Sequence, residues 1–135
     1  VGLARARKRR KDRGPGRPSG AARRQLILEV VRTDSAFSYD VVGSTDRHGW
    51  VGRCFYCGRR IYVTDGGESS ATLEHIRPLK RGGTNDLENL ALACKGCNEE
   101  KGRNADRSKP DEYFDELLLR RQERWREPEE GDGVP

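Results

Sequence analysis

A chain of 135 residues, 33% hydrophobic and 36% charged, fits one small domain with tails and leaves little apolar material for a core. There is no apolar run of about 18 residues, which excludes a transmembrane helix. No apolar segment follows the basic N-terminus, so no signal peptide is expected and the protein reads as soluble and cytoplasmic. The net charge of +5 is unevenly shared: residues 1–24 carry ten Lys/Arg against Asp12 alone, and the remainder is net acidic.

Residues 1–18 therefore read as a disordered basic arm, since like charge with Gly and Pro and no apolar periodicity does not fold alone. Such an arm draws nucleic acid by releasing counterions, although a solubilising or targeting tail has the same composition. Within it, Gly16-Arg17-Pro18 resembles the core of an AT-hook, which would lay Arg17 into a narrow minor groove. Residues 19–52 follow as a helix and a connecting segment. Leu26, Ile27, Val30 and Val31 recur on one face and predict a helix over about 20–33 that packs on the domain. "FSYDVV" can form a short strand. "GSTDRHG" reads as loop, with His48 given no role.

The four cysteines fall in two pairs, Cys54-x-x-Cys57 and Cys94-x-x-Cys97. A two-residue spacer turns both sulfurs of a pair inward, and two pairs make the tetrahedral thiolate shell that suits Zn²⁺. In a reducing compartment metal is the expected use, with disulfides or a redox pair as the alternative. An all-cysteine shell is closed, so this zinc is expected to be structural and to add its binding energy to a small core.

Between and after the pairs lie Glu74-His75, Pro78, Gly82-Gly83, Asn89-Leu90 and Cys94-x-x-Cys97-Asn98 with Lys101-Gly102. In this order, with Cys54 and Cys57, they resemble the HNH endonuclease family, in particular its zinc-stapled four-cysteine type. The resemblance implies an α+β fold: a small ββα-metal nuclease domain with a structural zinc site, flanked by helices and the disordered basic arm. It places a strand near 72–76, a long loop from Pro78 to Asn89, a strand over about 90–93, and a helix starting near Cys97. It implies that Glu74 and Asn98 hold a catalytic divalent ion, Mg²⁺ or Mn²⁺, that His75 is the general base, and that Asn89 bonds loop backbone and holds the histidine. Neighbouring strand residues face opposite sides, so Glu74 and His75 can serve two roles, and histidine titrates near neutral pH without help. Glu74 stands where the family often has Asp or His, and Asn98 where it often has His. The asparagine shifts the site toward oxygen-loving metals. Lys101 and Arg103 would meet DNA phosphates near the helix start, or form a solvated helix face.

"SKPDE" opens a C-terminal helix over 110–127, with Ser108 as cap, Asp111 completing a capping box and Pro110 in the first turn. Tyr113, Phe114, Leu117, Leu118 and Trp125 mark its apolar side, and Arg120, Arg121, Arg124 and Arg126 match the helix dipole. Residues 128–135 read as a disordered acidic tail, and 53–109 as the nuclease core. The function implied is a metal-dependent endonuclease on double-stranded DNA with low sequence specificity, nicking alone or cutting both strands as a homodimer. A phage-encoded protein acting in a bacterial host, with a terminase-like partner in DNA packaging, is the favoured setting; restriction and homing are others. A non-catalytic zinc-stapled DNA-binding protein, or an RNase, is the alternative function.

Overall fold

The computed structural model describes residue 16 and residues 18–43, 46–104 and 109–128, with the backbone alone for 102–104. The basic arm through residue 15, Arg17, Ser108 and the acidic tail from residue 129 lie outside the described residues. So does the side chain of Arg103.

Three α-helices and two small antiparallel sheets make a mixed fold among these residues. Helix α1 spans Gly20–Thr33, with the Ser19 hydroxyl accepting from the Ala22 N–H at its start. Strands β1 (Ser38–Val41), β2 (His48–Arg53) and β3 (Arg60–Thr64) form a meander. His48 is the first residue of β2, paired with Val41 and stacked on Tyr39, where the sequence reads as loop. β4 (Ala71–His75) pairs with β5 (Leu90–Cys94), placing His75 opposite Leu90 and Ala71 opposite Cys94. Helix α2 (Lys95–Asn104) follows β5 without a break, starting two residues before Cys97. Helix α3 covers Asp111–Glu123.

All five β5 residues are buried, because α1 packs on Leu90 and Leu92 and α3 packs on the opposite side at Ala91. The "LALAC" run accordingly shows no polar alternation. Val30 and Val31 of α1 pack with Leu73, Leu90 and Leu92, while Ala91 joins Ile76, Phe55 and Leu117 of α3. No helix among the described residues is long and apolar enough to cross a membrane.

The C-terminal helix departs from expectation at both ends. Its N-cap is Pro110, with no side-chain cap hydrogen bond, and the expected cap, Ser108, lies outside the described residues. Asp111 accepts from Arg77 and Arg81. The arginines at the other end do more than face a dipole. Arg121 is fully buried and donates to Leu90 O at 2.8 Å, Thr33 O at 2.9 Å and Thr33 Oγ1 at 2.8 Å. Arg126 donates to Val31 O, Arg32 O and Phe37 O. Arg124 holds the buried Asp34 through two bonds of 3.0 and 2.8 Å. The last carbonyls of α1, which have no partner inside their own helix, are thus taken by guanidinium groups at the end of α3 and just beyond it.

Candidate metal and catalytic site

The first cysteine pair sits in the turn between β2 and β3. Cys54 N–H donates to Arg59 O at 2.7 Å and Gly58 N–H to Cys54 O at 3.0 Å, closing the knuckle. The second pair spans the junction of β5 and α2. Phe55 N–H donates to Leu92 O at 3.0 Å and brings the two together. All four thiols are free, and their sulfurs lie within 4.8 Å of one another. The Cys57 and Cys94 sulfurs are 3.7 Å apart. A tetrahedral shell with Zn–S bonds of about 2.3 Å has an edge of about 3.8 Å. Backbone N–H groups of Cys57, Arg59 and Cys97 point at the sulfurs of Cys54, Cys57 and Cys94. Burial opposes ionisation of Cys54, but the N–H groups of Cys57, Cys94 and Tyr56 outweigh it and bring this thiol down to about 7. Cys97 is pushed up, by burial first and then by the neighbouring sulfurs. A cluster that favours one thiolate and resists the next is the donor set of a structural zinc, whose charge balances them all.

The second constellation lies at the end of β4. Alternation puts Leu73 and His75 on one face and Glu74 on the other. His75 Nε2 is 2.7 Å from Asn85 Oδ1, and Asn85 Nδ2 donates to Gly16 O at 3.0 Å. With the amide nitrogen committed to Gly16, the oxygen faces the ring. An amide oxygen only accepts, so Nε2 carries the hydrogen and Nδ1 is the basic nitrogen.

The loop from Ile76 to Asn89 is closed by Asn89, which is nearly buried. Its Oδ1 accepts from Arg77 N–H at 2.8 Å, its Nδ2 donates to Arg77 O at 3.1 Å and Thr84 O at 2.8 Å, and its own carbonyl accepts from Ile76 N–H at 2.8 Å. One side chain thereby joins both ends of the loop. The glycines complete it. Gly82 takes a positive φ of 88°, and a Cβ on Gly83 would lie 1.8 Å from Arg77 O, so no other residue fits without moving the loop.

Glu74 is 9% exposed, and its Oε1 lies 3.8 Å from Lys101 Nζ. Asn98 and Lys101 are three residues apart on α2 and so share a face. The face that bears Asn98 is therefore the one turned toward Glu74. Of the three residues expected at the DNA backbone, Arg17 lies outside the described residues, as does the Arg103 side chain. Lys101 points inward. Asn85, Tyr56 and the inward lysine are the site features the sequence did not reveal.

Residues 54–104 match the family model described as HNH endonuclease. The matched stretch begins at the first zinc-knuckle cysteine and ends with α2, and it contains both constellations. No curated protein and no solved structure matches the chain.

Proposed function

We propose that the chain is a metal-dependent endonuclease that hydrolyses DNA phosphodiester bonds, with His75 as general base and Glu74 and Asn98 as ligands of the catalytic cation. The observation that carries this reading is the convergence at the end of β4. An imidazole is oriented there by Asn85, and a buried carboxylate on the opposite face meets the side of α2 that bears Asn98. Nδ1 of His75 is left to accept a proton from a water molecule, which then attacks phosphorus. A hard divalent cation, Mg²⁺ or Mn²⁺, held by the Glu74 and Asn98 oxygens would supply charge stabilisation at the scissile phosphate. Asn89 keeps the loop closed behind the histidine. The four-cysteine shell is closed to substrate and holds the fold.

The arm supports a DNA substrate and low sequence specificity, because phosphate contacts position a protein but do not read bases. Arg17 and Arg103 belong to that contact in this reading. One such centre cuts one strand, so a double-strand break calls for a homodimer or a second encounter. A phage setting with a terminase-like partner is the biological form of this proposal, and the neighbouring genes test it.

The alternative, a non-catalytic zinc-stapled DNA-binding protein, gives no use to an imidazole held by its own amide partner. Glu74→Gln and Asn98→Ala test the assignment. Each is expected to raise the Mn²⁺ concentration needed for cleavage while zinc content and DNA binding stay unchanged. Unaltered metal dependence in both variants would remove these ligands from the proposal.

A further inference from the structure

Lys101 lies on a helix surrounded by charged residues, yet its side chain is only 17% exposed. Its Nζ donates to His75 O at 2.8 Å and to Tyr56 Oη at 2.9 Å, and lies 3.8 Å from Glu74 Oε1. The same ammonium sits 5.1 Å from the centre of the Tyr56 ring. Ordering a long lysine side chain costs entropy. Two hydrogen bonds, a carboxylate and an aromatic face together offset that cost, and they leave the ammonium engaged inside the domain.

We infer that Lys101 is a positioning residue for the catalytic centre rather than a phosphate contact. It fixes the end of β4 and ties it to the zinc knuckle through Tyr56. The inference rests on the nuclease reading above. The peptide unit between His75 and Ile76 is planar. Its carbonyl is held by Lys101 and its N–H is held by Asn89 O at 2.8 Å. With both edges of one rigid plane held, the direction in which the His75 side chain leaves the strand is set. The same ammonium lies 3.8 Å from the Glu74 carboxylate on the other face of the strand, so one side chain spans both sides of the end of β4. Tyr56 lies between Cys54 and Cys57, so its hydroxyl carries the position of the zinc knuckle to this plane.

Lys101→Met keeps the length and apolar stem while removing charge and donors. The expected result is a kcat lowered roughly 10–100-fold, the range for groups that orient a metal site from outside it. KM for DNA, the salt dependence of binding and the zinc content stay as in the wild type. A raised KM with flatter salt dependence and unchanged kcat overturns the inference and returns Lys101 to the DNA backbone. If Lys101→Met fails to retain zinc, Tyr56→Phe decides, since it removes a single hydrogen bond to the ammonium. Its kcat is expected to fall severalfold at unchanged KM, and a wild-type kcat overturns the inference. A wild type that fails to cut DNA with any divalent metal removes the nuclease reading alone. Hydrogen exchange then judges the tether: the Ile76 and Arg77 amides exchange faster in Lys101→Met if the plane is pinned, and at an unchanged rate if it is not.

Discussion

At the scale of single residues, the site depends on how a few amides and one ammonium orient an imidazole and a carboxylate. Asn85 accepts from His75 Nε2 and thereby leaves Nδ1 as the proton acceptor of the proposed mechanism. Asn85→Ala is expected to lower kcat with little change in KM, because the ring loses its preferred tautomer and rotamer but the DNA contacts persist. A raised KM at constant kcat would place Asn85 at the substrate instead. Asn89 is a different case, since its side chain makes three hydrogen bonds to loop backbone. Asn89→Ala leaves buried backbone groups unpaired and is expected to cost roughly 2–4 kcal/mol in urea unfolding, at about 1–3 kcal/mol for each unsatisfied group with partial relaxation. Much of this site could be read beforehand. Glu74, His75, Asn89 and Asn98 stand in an ordered motif, and strand alternation separates the first two. Asn85 could not be read, because its contact with His75 depends on how the loop folds back, which no local pattern encodes. Lys101 was legible as a cation but not as an inward one. Its direction is set by Tyr56 and the His75 carbonyl, which meet it only through tertiary packing.

At the scale of elements, the two knuckles join the β2–β3 turn of one sheet to the end of β5 in the other. Zinc binding and folding are therefore expected to be linked, and to depend on pH in a definite direction. The Cys54 thiol is lowered from 9.0 to about 7 in the folded chain. Its contribution is present above the unfolded value and is lost as pH falls through about 7. Zinc must also displace the protons of the remaining thiols, Cys97 above all, whose ionisation burial opposes. Zinc affinity measured by competition with a chromophoric chelator should fall steeply between about pH 8 and about pH 6, and a flat profile would contradict thiolate ligation. The join between α1 and the end of α3 gives a second test. Arg121→Met strands the Leu90 carbonyl and removes both bonds to Thr33, whose carbonyl keeps the Arg126 N–H, and is expected to destabilise the fold by roughly 3–5 kcal/mol, because buried hydrogen bonds to a charged group are lost. Equilibrium unfolding measures it, and a loss below about 1 kcal/mol would mean that water replaces the guanidinium. Helix α1, β4, β5 and the C-terminal helix were legible from periodicity and motif. The β2–β3 hairpin was not. "HGWVGR" carries two glycines that dilute a strand pattern, and one of them, Gly52, is there because a Cβ would lie 2.4 Å from the Phe37 ring. The turn joining the strands is a cysteine knuckle rather than a common hairpin turn. The arginine run read as dipole complement for the same reason: its acceptors belong to a helix about 90 residues away in sequence, and contact at that separation leaves no local trace.

At the scale of the whole molecule, the charge division sets residues 1–18 apart in the sequence, and Gly16 meets the site. Gly16 O accepts from Asn85, the residue that holds His75. Deletion of residues 1–15 is expected to weaken DNA binding and flatten its salt dependence, with turnover at saturating DNA unchanged. An unaltered salt slope would contradict a DNA role for the arm. The central claim is that the His75 centre cuts DNA with a divalent cation. Cleavage of supercoiled plasmid by wild type and His75→Ala, each with Mg²⁺, Mn²⁺ or EDTA, tests it most directly. The account predicts metal-dependent nicked or linear product from the wild type and a rate roughly 10²–10⁴-fold lower in the variant, the usual contribution of a general base. Binding of the plasmid by both proteins without cleavage in any divalent metal would contradict it and leave a zinc-stapled DNA-binding module.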